Sequence, residues 1–216
     1  MSRPFSQACE NNKEPIFEVM RRVFADRKKV LEIGSGTGQH AAAFATRLPA
    51  LSWQTSDLIA HHPGIHQWIE ASGVPNLLLP LALDVADLPW SLGGGEGEAD
   101  DKAAEREGLN DTVDAVFTAN TLHIMSWSHV QSFFKGLSSV LSEDGILMVY
   151  GPFNYDGKYT SASNARFDQW LKDRDPASGI RDIEAVNTLA SEIGLELSED
   201  NEMPANNRLL VWQRAG

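Results

Sequence analysis

The chain has 216 residues, a formal charge of −12, and 42% hydrophobic against 22% charged residues. That composition suits one α/β domain over residues 1–216 with a sizeable core, while the acidity argues against non-specific nucleic-acid binding, which needs clustered Lys and Arg. No apolar run reaches the roughly 18 residues of a membrane span, Met1 to Gln7 has no apolar signal core, and the lone Cys9 forms no internal disulfide, so a cytoplasmic protein is expected.

Strands and helices alternate along the chain, which predicts a doubly wound, mostly parallel sheet with helices on both faces. Lys29 to Ile33 is the first strand. A helix follows from about Gly38 to Arg47, with Ala42, Ala43 and Ala45 small enough to pack closely on the sheet. Pro49 ends it, and Leu51 to Thr55 makes a second strand closing at Ser56-Asp57. Ile65 to Ala71 reads as a helix stopped by Ser72-Gly73. Leu77 to Leu83 is an apolar run interrupted by Pro80, expected to be irregular or at a sheet edge. Residues 93–111 carry seven acids against two bases without apolar periodicity, and are expected to form a flexible surface insertion. Val113 to Thr118 resumes the sheet. Ser126 to Leu141 is an amphipathic helix and Gly145 to Tyr150 a buried strand. Phe167 to Lys172 and Ile183 to Ile193 read as helices, and Leu195 to Leu197 with Arg208 to Gln213 as a terminal antiparallel pair.

Residues 30–38, Val-Leu-Glu-Ile-Gly-Ser-Gly-Thr-Gly, run an apolar strand into a glycine-rich turn. Glycines there permit a sharp turn and a close approach of ligand to backbone. Glu32 sits where it attracts a cation, so a cofactor with a positive end fits better than a pyrophosphate. The dinucleotide fingerprint would need a third glycine at position 39, which is Gln39, and no Gly-Lys-Ser/Thr follows for a P-loop. What remains resembles the first motif of class I S-adenosylmethionine-dependent methyltransferases, acid-x-Gly-x-Gly-x-Gly.

That resemblance implies a seven-stranded sheet and a set of site residues. The turn through Gly34, Ser35, Gly36 and Gly38 would pass beneath the methionine portion, with Glu32 holding its ammonium group. A carboxylate at the end of a buried strand is costly unless paired, and the ligand would be its partner. Asp57, next to Leu58, closes the second strand and reads either as a ribose contact or as a helix cap. Asp84, next to Val85, reads either as an adenine contact or as a turn residue. The fourth strand end, Phe117 to His123, would line the methyl-transfer site through Asn120, and it lacks the Asn-Pro-Pro-Tyr signature of many enzymes acting on nucleic-acid amines. His123 is a candidate general base or a packing histidine.

Four longer phrases resemble a poorly characterised family of small methyltransferase-like proteins of unknown substrate. They are residues 4–16, 119–127, 151–158 and 203–208, and the match covers nearly the whole chain apart from the acidic stretch. Residues 4–13 precede the first strand and are expected to fold over the site as a lid, with Asn12 and Lys13 reaching inward. Residues 151–161 follow a strand end, placing Asn154, Tyr155, Asp156 and Lys158 towards an acceptor. Surface turns are the alternative for both segments. Candidate bases are His123, Asp156 and Tyr155; candidate acceptor contacts are Asn12, Lys13, Asn154 and Lys158, with Asn206, Asn207 and Arg208 behind them. His61, His62 and His66 lack a third ligand with zinc spacing, so no metal is expected and a solvated helix start is the reading. The expected function is methylation of a small molecule. A protein that binds the cofactor without turnover is the alternative, and an NAD-dependent oxidoreductase is disfavoured by Gln39 and the absence of Tyr-x-x-x-Lys.

Overall fold

The computed structural model describes residues 3–92 and 112–214; the acidic stretch 93–111 lies outside the described residues. Helix α1 (Gln7–Val23) opens the chain, followed by β1 (Lys29–Ile33), α2 (Gln39–Arg47), β2 (Ser52–Asp57), α3 (His62–Ser72), β3 (Leu77–Ala82) and β4 (Val113–Ala119). Then come α4 (Trp127–Val140), β5 (Leu141–Gly151), β6 (Phe153–Asn154), α5 (Ala162–Arg174), β7 (Arg181–Asp182), α6 (Ile183–Glu192), β8 (Leu195–Met203) and β9 (Asn207–Arg214).

Seven strands form one sheet in the order β3-β2-β1-β4-β5-β9-β8. Strands β1 to β5 run parallel, and β9 is antiparallel to both β5 and β8. This is the expected doubly wound sheet with its C-terminal antiparallel pair. Side chains alternate along a strand, so β1 feeds two cores. Leu31 and Ile33 pack with Phe133 and Leu137 of α4 and Val186 of α6 on one face. Val30 packs with Met20 of α1, Phe44 of α2, Trp53 and Phe117 on the other.

Pro80 sits in β3 at the sheet edge, and the β2–β3 register shifts between Gln54 and Ser56. Two side chains take up carbonyls there: Thr55 Oγ1 donates to Leu78 O at 2.9 Å and Gln54 Nε2 to Leu79 O at 2.6 Å. Both expectations for this run, irregularity and an edge position, are met.

The N-terminal segment differs from expectation. Ser6 caps α1 by accepting from Cys9 N, and the helix runs through Pro15 with Asn12, Ile16, Met20 and Val23 buried along one stripe. The helix packs on α2 as part of the core, so most of the lid segment is a fixed element.

Candidate functional site

Strand order reverses between β1 and β4, and the crevice at such a switch point is where open α/β sheets bind ligands. The glycine turn forms its floor. Gly34 N and Ser35 N both donate to Ser56 O at 3.0 Å, and Gly38 N donates to Ser35 O at 2.9 Å. The three glycines serve different ends. A Cβ on Gly34 (φ 72°) would run into Thr121 Cγ2, and one on Gly38 would lie 3.0 Å from the Ile65 Cα. A Cβ on Gly36 meets nothing nearer than Gly34 O at 4.0 Å. Gly34 and Gly38 are therefore required by packing, whereas Gly36 keeps space open. Gly34→Ala is expected to cost about 1–3 kcal/mol in a denaturant titration, from the φ penalty and the Thr121 overlap.

Above the turn is a cavity of about 390 Å³, within the roughly 300–1,000 Å³ of small-molecule sites. Gly34, Gly36, Asp57, Leu58, Asp84, Val85 and Asn120 line it, so seven of the ten predicted cofactor residues come together. Its walls are apolar: Leu58, Leu83, Val85, Ile124 and Met125, with Leu58 and Ile124 about half exposed at the mouth (47% and 55%). Asp57 is the main polar group. Its Oδ2 accepts from Gly36 N at 2.7 Å, and its Oδ1 accepts from Leu58 N at 2.8 Å and lies 2.7 Å from His61 Nδ1. An ionised carboxylate has about four acceptor positions, so three bonds leave one. Asp57 does not cap a helix by its side chain; it ties the glycine turn to the end of β2. Asp84 accepts from Ala86 N at 2.9 Å, as a turn residue does, and also lines the cavity.

Glu32, Ser35 and Gly38 do not line the cavity. Glu32 is only 2% exposed and lies on the α1/α2 face beneath the turn, where Ser35 Oγ donates to its Oε2 at 2.9 Å and Trp53 Nε1 at 3.2 Å. Its buried partners are thus Ser35 and Trp53, which corrects the expectation that a ligand would be needed to pair it. Burial raises its pKa to about 7, opposed by those two hydrogen bonds and reinforced by the nearby Asp57.

The three candidate bases are not on the cavity lining. His123, within the Thr121–Met125 loop, is 6% exposed and stands edge-on to Phe167. Burial, then the Arg181 charge, lowers its pKa to about 4, so its imidazole is neutral near pH 7. Tyr155 donates its hydroxyl to Asp200 Oδ2 at 2.7 Å, and burial followed by that bond pushes its pKa well above the ordinary phenol value. That removes Tyr155 as a base at neutral pH. Asp156 is exposed in a tight turn with Gly157, both in the left-handed region, closed by the Tyr155–Lys158 backbone pair.

The candidate acceptor residues are also dispersed. Asn12 is buried, with Oδ1 2.6 Å from His40 Nε2, and hydrogen-bonds the Tyr150 hydroxyl. It faces the core, a correction to its expected inward reach to the site. Lys13 pairs with Glu10 at 2.5 Å and faces a different groove beside Gln39 and Trp68. Asn154 is buried with Oδ1 unpartnered, while Lys158 is exposed. Asn206, Asn207 and Arg208 line a separate cavity of about 530 Å³ with Tyr155 and Thr160.

Sequence reasoning missed His61, Ile124, Met125 and His129 on the cavity lining, while Thr121 falls in the strand-end segment expected there. The histidine cluster is corrected at one position: His62 is buried and donates to Asp57 O at 3.1 Å, whereas His61 pairs with Asp57 yet stays exposed at the start of α3. Asp57 and His61 are four residues apart, a spacing that signals such a pair. Among the described residues no three His, Cys, Asp or Glu are grouped to hold a metal ion, and no helix is long and apolar enough to cross a membrane.

The fold is a methyltransferase-like α/β fold. Residues 3–214 match the family described as a protein of unknown function, DUF938, and the chain belongs to that family. Solved structures with the same fold include an O-methyltransferase family protein from Burkholderia thailandensis, at TM-score 0.75 and 18% identity, over 94% of this chain and 56% of that one. An O-methyltransferase family 2 protein from Planctomyces limnophilus, in complex with apigenin, matches at TM-score 0.76 and 14% identity, over 96% and 58%. An O-methyltransferase from neocarzinostatin biosynthesis, in complex with S-adenosylmethionine and 2-hydroxy-5-methyl naphthoic acid, matches at TM-score 0.72 and 14% identity, over 96% and 55%. The chain thus spans little more than half the length of these proteins.

Proposed function

We propose that the protein is an S-adenosylmethionine-dependent methyltransferase acting on a small molecule. The observation that carries this reading is the cavity itself: open space above Gly36, a carboxylate with one free acceptor position at Asp57, and apolar walls ending at Asp84. Those features suit, in turn, the backbone-hugging part of the cofactor, a ribose hydroxyl, and a flat base with an exocyclic amine. Leu58 and Val85 would face the base, and Asn120 the reacting end. When bound, S-adenosylmethionine supplies a methyl group on a positively charged sulfur.

The chain's own contribution is placement. Positioning two reactants accounts for roughly 7–11 kcal/mol of a barrier in well-oriented cases, and a base is needed only for a nucleophile that must lose a proton. His123, neutral near pH 7, is the candidate for that role. A cofactor-binding protein without turnover is the second reading, favoured by the absence of all three candidate bases from the cavity lining.

Calorimetry with S-adenosylmethionine, S-adenosylhomocysteine and NAD tests the donor. The first two are expected to bind and NAD to give no heat; tight NAD binding would reverse the assignment. Screening metabolites for S-adenosylhomocysteine formation separates catalysis from binding alone, since turnover with any of them rules out the second reading.

A further inference from the structure

The loop after β4 closes one side of the cavity through Thr121, Ile124 and Met125. A loop facing both solvent and a cavity needs its carbonyls held from behind, because unpaired buried polar groups are costly. Residues 178–181, between α5 and α6, hold four consecutive ones. Arg181 Nε donates to Leu122 O at 3.0 Å, Gly179 N to His123 O at 2.9 Å, and Ser178 Oγ to Ile124 O at 2.9 Å. Arg181 Nη2 completes the set by donating to Met125 O, and also reaches Ala177 O at 3.0 Å.

The clamp is itself anchored. Asp168, buried on α5, accepts from Ile180 N at 2.7 Å, from Tyr159 Oη at 2.7 Å and from Lys172 Nζ at 2.6 Å. Arg181 pairs with Phe153 in the short β6–β7 ladder, just past the end of β5. A guanidinium presents five donors in a rigid fork, which an ammonium on a flexible stem does not reproduce.

We infer that Arg181 is a positioning residue for the reaction: its fork fixes the Leu122 and Met125 carbonyls at the two ends of the loop segment, and so sets both the cavity wall at Ile124 and Met125 and the placement of His123. This rests on the methyl-donor reading of the cavity. The Arg181 charge also acts on the His123 ring, which stands edge-on to Phe167 and beside Gly151, where a built Cβ would lie 3.5 Å from Nδ1.

Two variants and three readouts test it. In Arg181→Met, S-adenosylhomocysteine affinity is expected to fall about tenfold or more. Amide exchange at Ile124 and Met125 should rise, and the His123 imidazole should titrate at higher pH by NMR, while burial still keeps it below the ordinary value. Arg181→Lys keeps the charge but not the fork, so His123 should titrate as in the wild type while affinity and amide protection stay reduced. It also serves if the Met variant does not fold. Wild-type affinity in Arg181→Met, or full restoration by Arg181→Lys, would overturn the inference. Failure of the wild type to bind S-adenosylhomocysteine overturns the donor reading instead; in that case exchange and titration, read without ligand, still test the clamp.

Discussion

Gly36→Val is expected to abolish S-adenosylmethionine binding, by about 100-fold or more, in a protein that still folds. Gly36 lines the cavity, and a Cβ built there stands in open space 4.0 Å from its nearest neighbour. The valine methyls would enter the volume assigned to the ligand. The substitution also places a β-branched residue at φ 57°, a strain of order 1–3 kcal/mol. Gly73→Val separates the two effects. Gly73 has φ 62° with nothing within 4 Å of a built Cβ, and it lies at the far end of α3. The control should lose similar stability and keep its affinity. Calorimetry and denaturant unfolding on both variants check the pair, and undiminished affinity in Gly36→Val would mean that the turn is structural and the site lies elsewhere.

Glu32→Gln is expected to remove a loss of stability that the wild type suffers between about pH 4.5 and 7. The folded-state pKa of Glu32 is raised from 4.5 to about 7, mainly by burial. The folded protein therefore holds a proton that the unfolded chain has released, and stability is lost as pH rises from about 4.5 through 7. A shift of that size corresponds to roughly 3 kcal/mol. His40 and His123 act in the opposite direction. Burial lowers both to about 4 from 6.5, so the unfolded chain binds protons first and stability falls as pH drops from 6.5 towards 4. From these three groups, wild-type stability should peak near pH 6 to 7. Denaturation midpoints between pH 4 and 9 should show the Gln variant converging with the wild type near pH 4, gaining on it between about pH 4.5 and 7, and holding that lead above pH 7. A constant gap across that range would mean that Glu32 titrates normally.

How far the sequence spoke differs by element. The glycine spacing and the acids at strand ends were legible because each is a local device at the tip of a parallel strand. Asp57, Asp84 and Asn120 needed only the strand boundaries to be placed at one edge. Helix α1 was illegible because it contains Asn11, Asn12 and Pro15, residue types that disfavour a helix interior. Its helical stripe is held by tertiary packing, with Asn12 answered by His40 and Tyr150 across the core. The acceptor phrases were over-read for a related reason: amide-rich segments looked like ligand contacts, but Asn12 and Tyr155 spend their polar groups on the protein itself, and Lys158 is exposed in a tight turn. Arg181 gave no signal at all, since its carbonyl partners lie 56 to 59 positions away.

The central claim is that one nucleoside-bearing methyl donor lies against the Gly34–Gly36 turn. A crystal structure of the protein grown with S-adenosylmethionine tests it most directly. The account predicts the ribose on the free acceptor position of Asp57 and the base between Leu58 and Val85. Density for the compound outside this crevice, or protein atoms filling the space above Gly36, would contradict it.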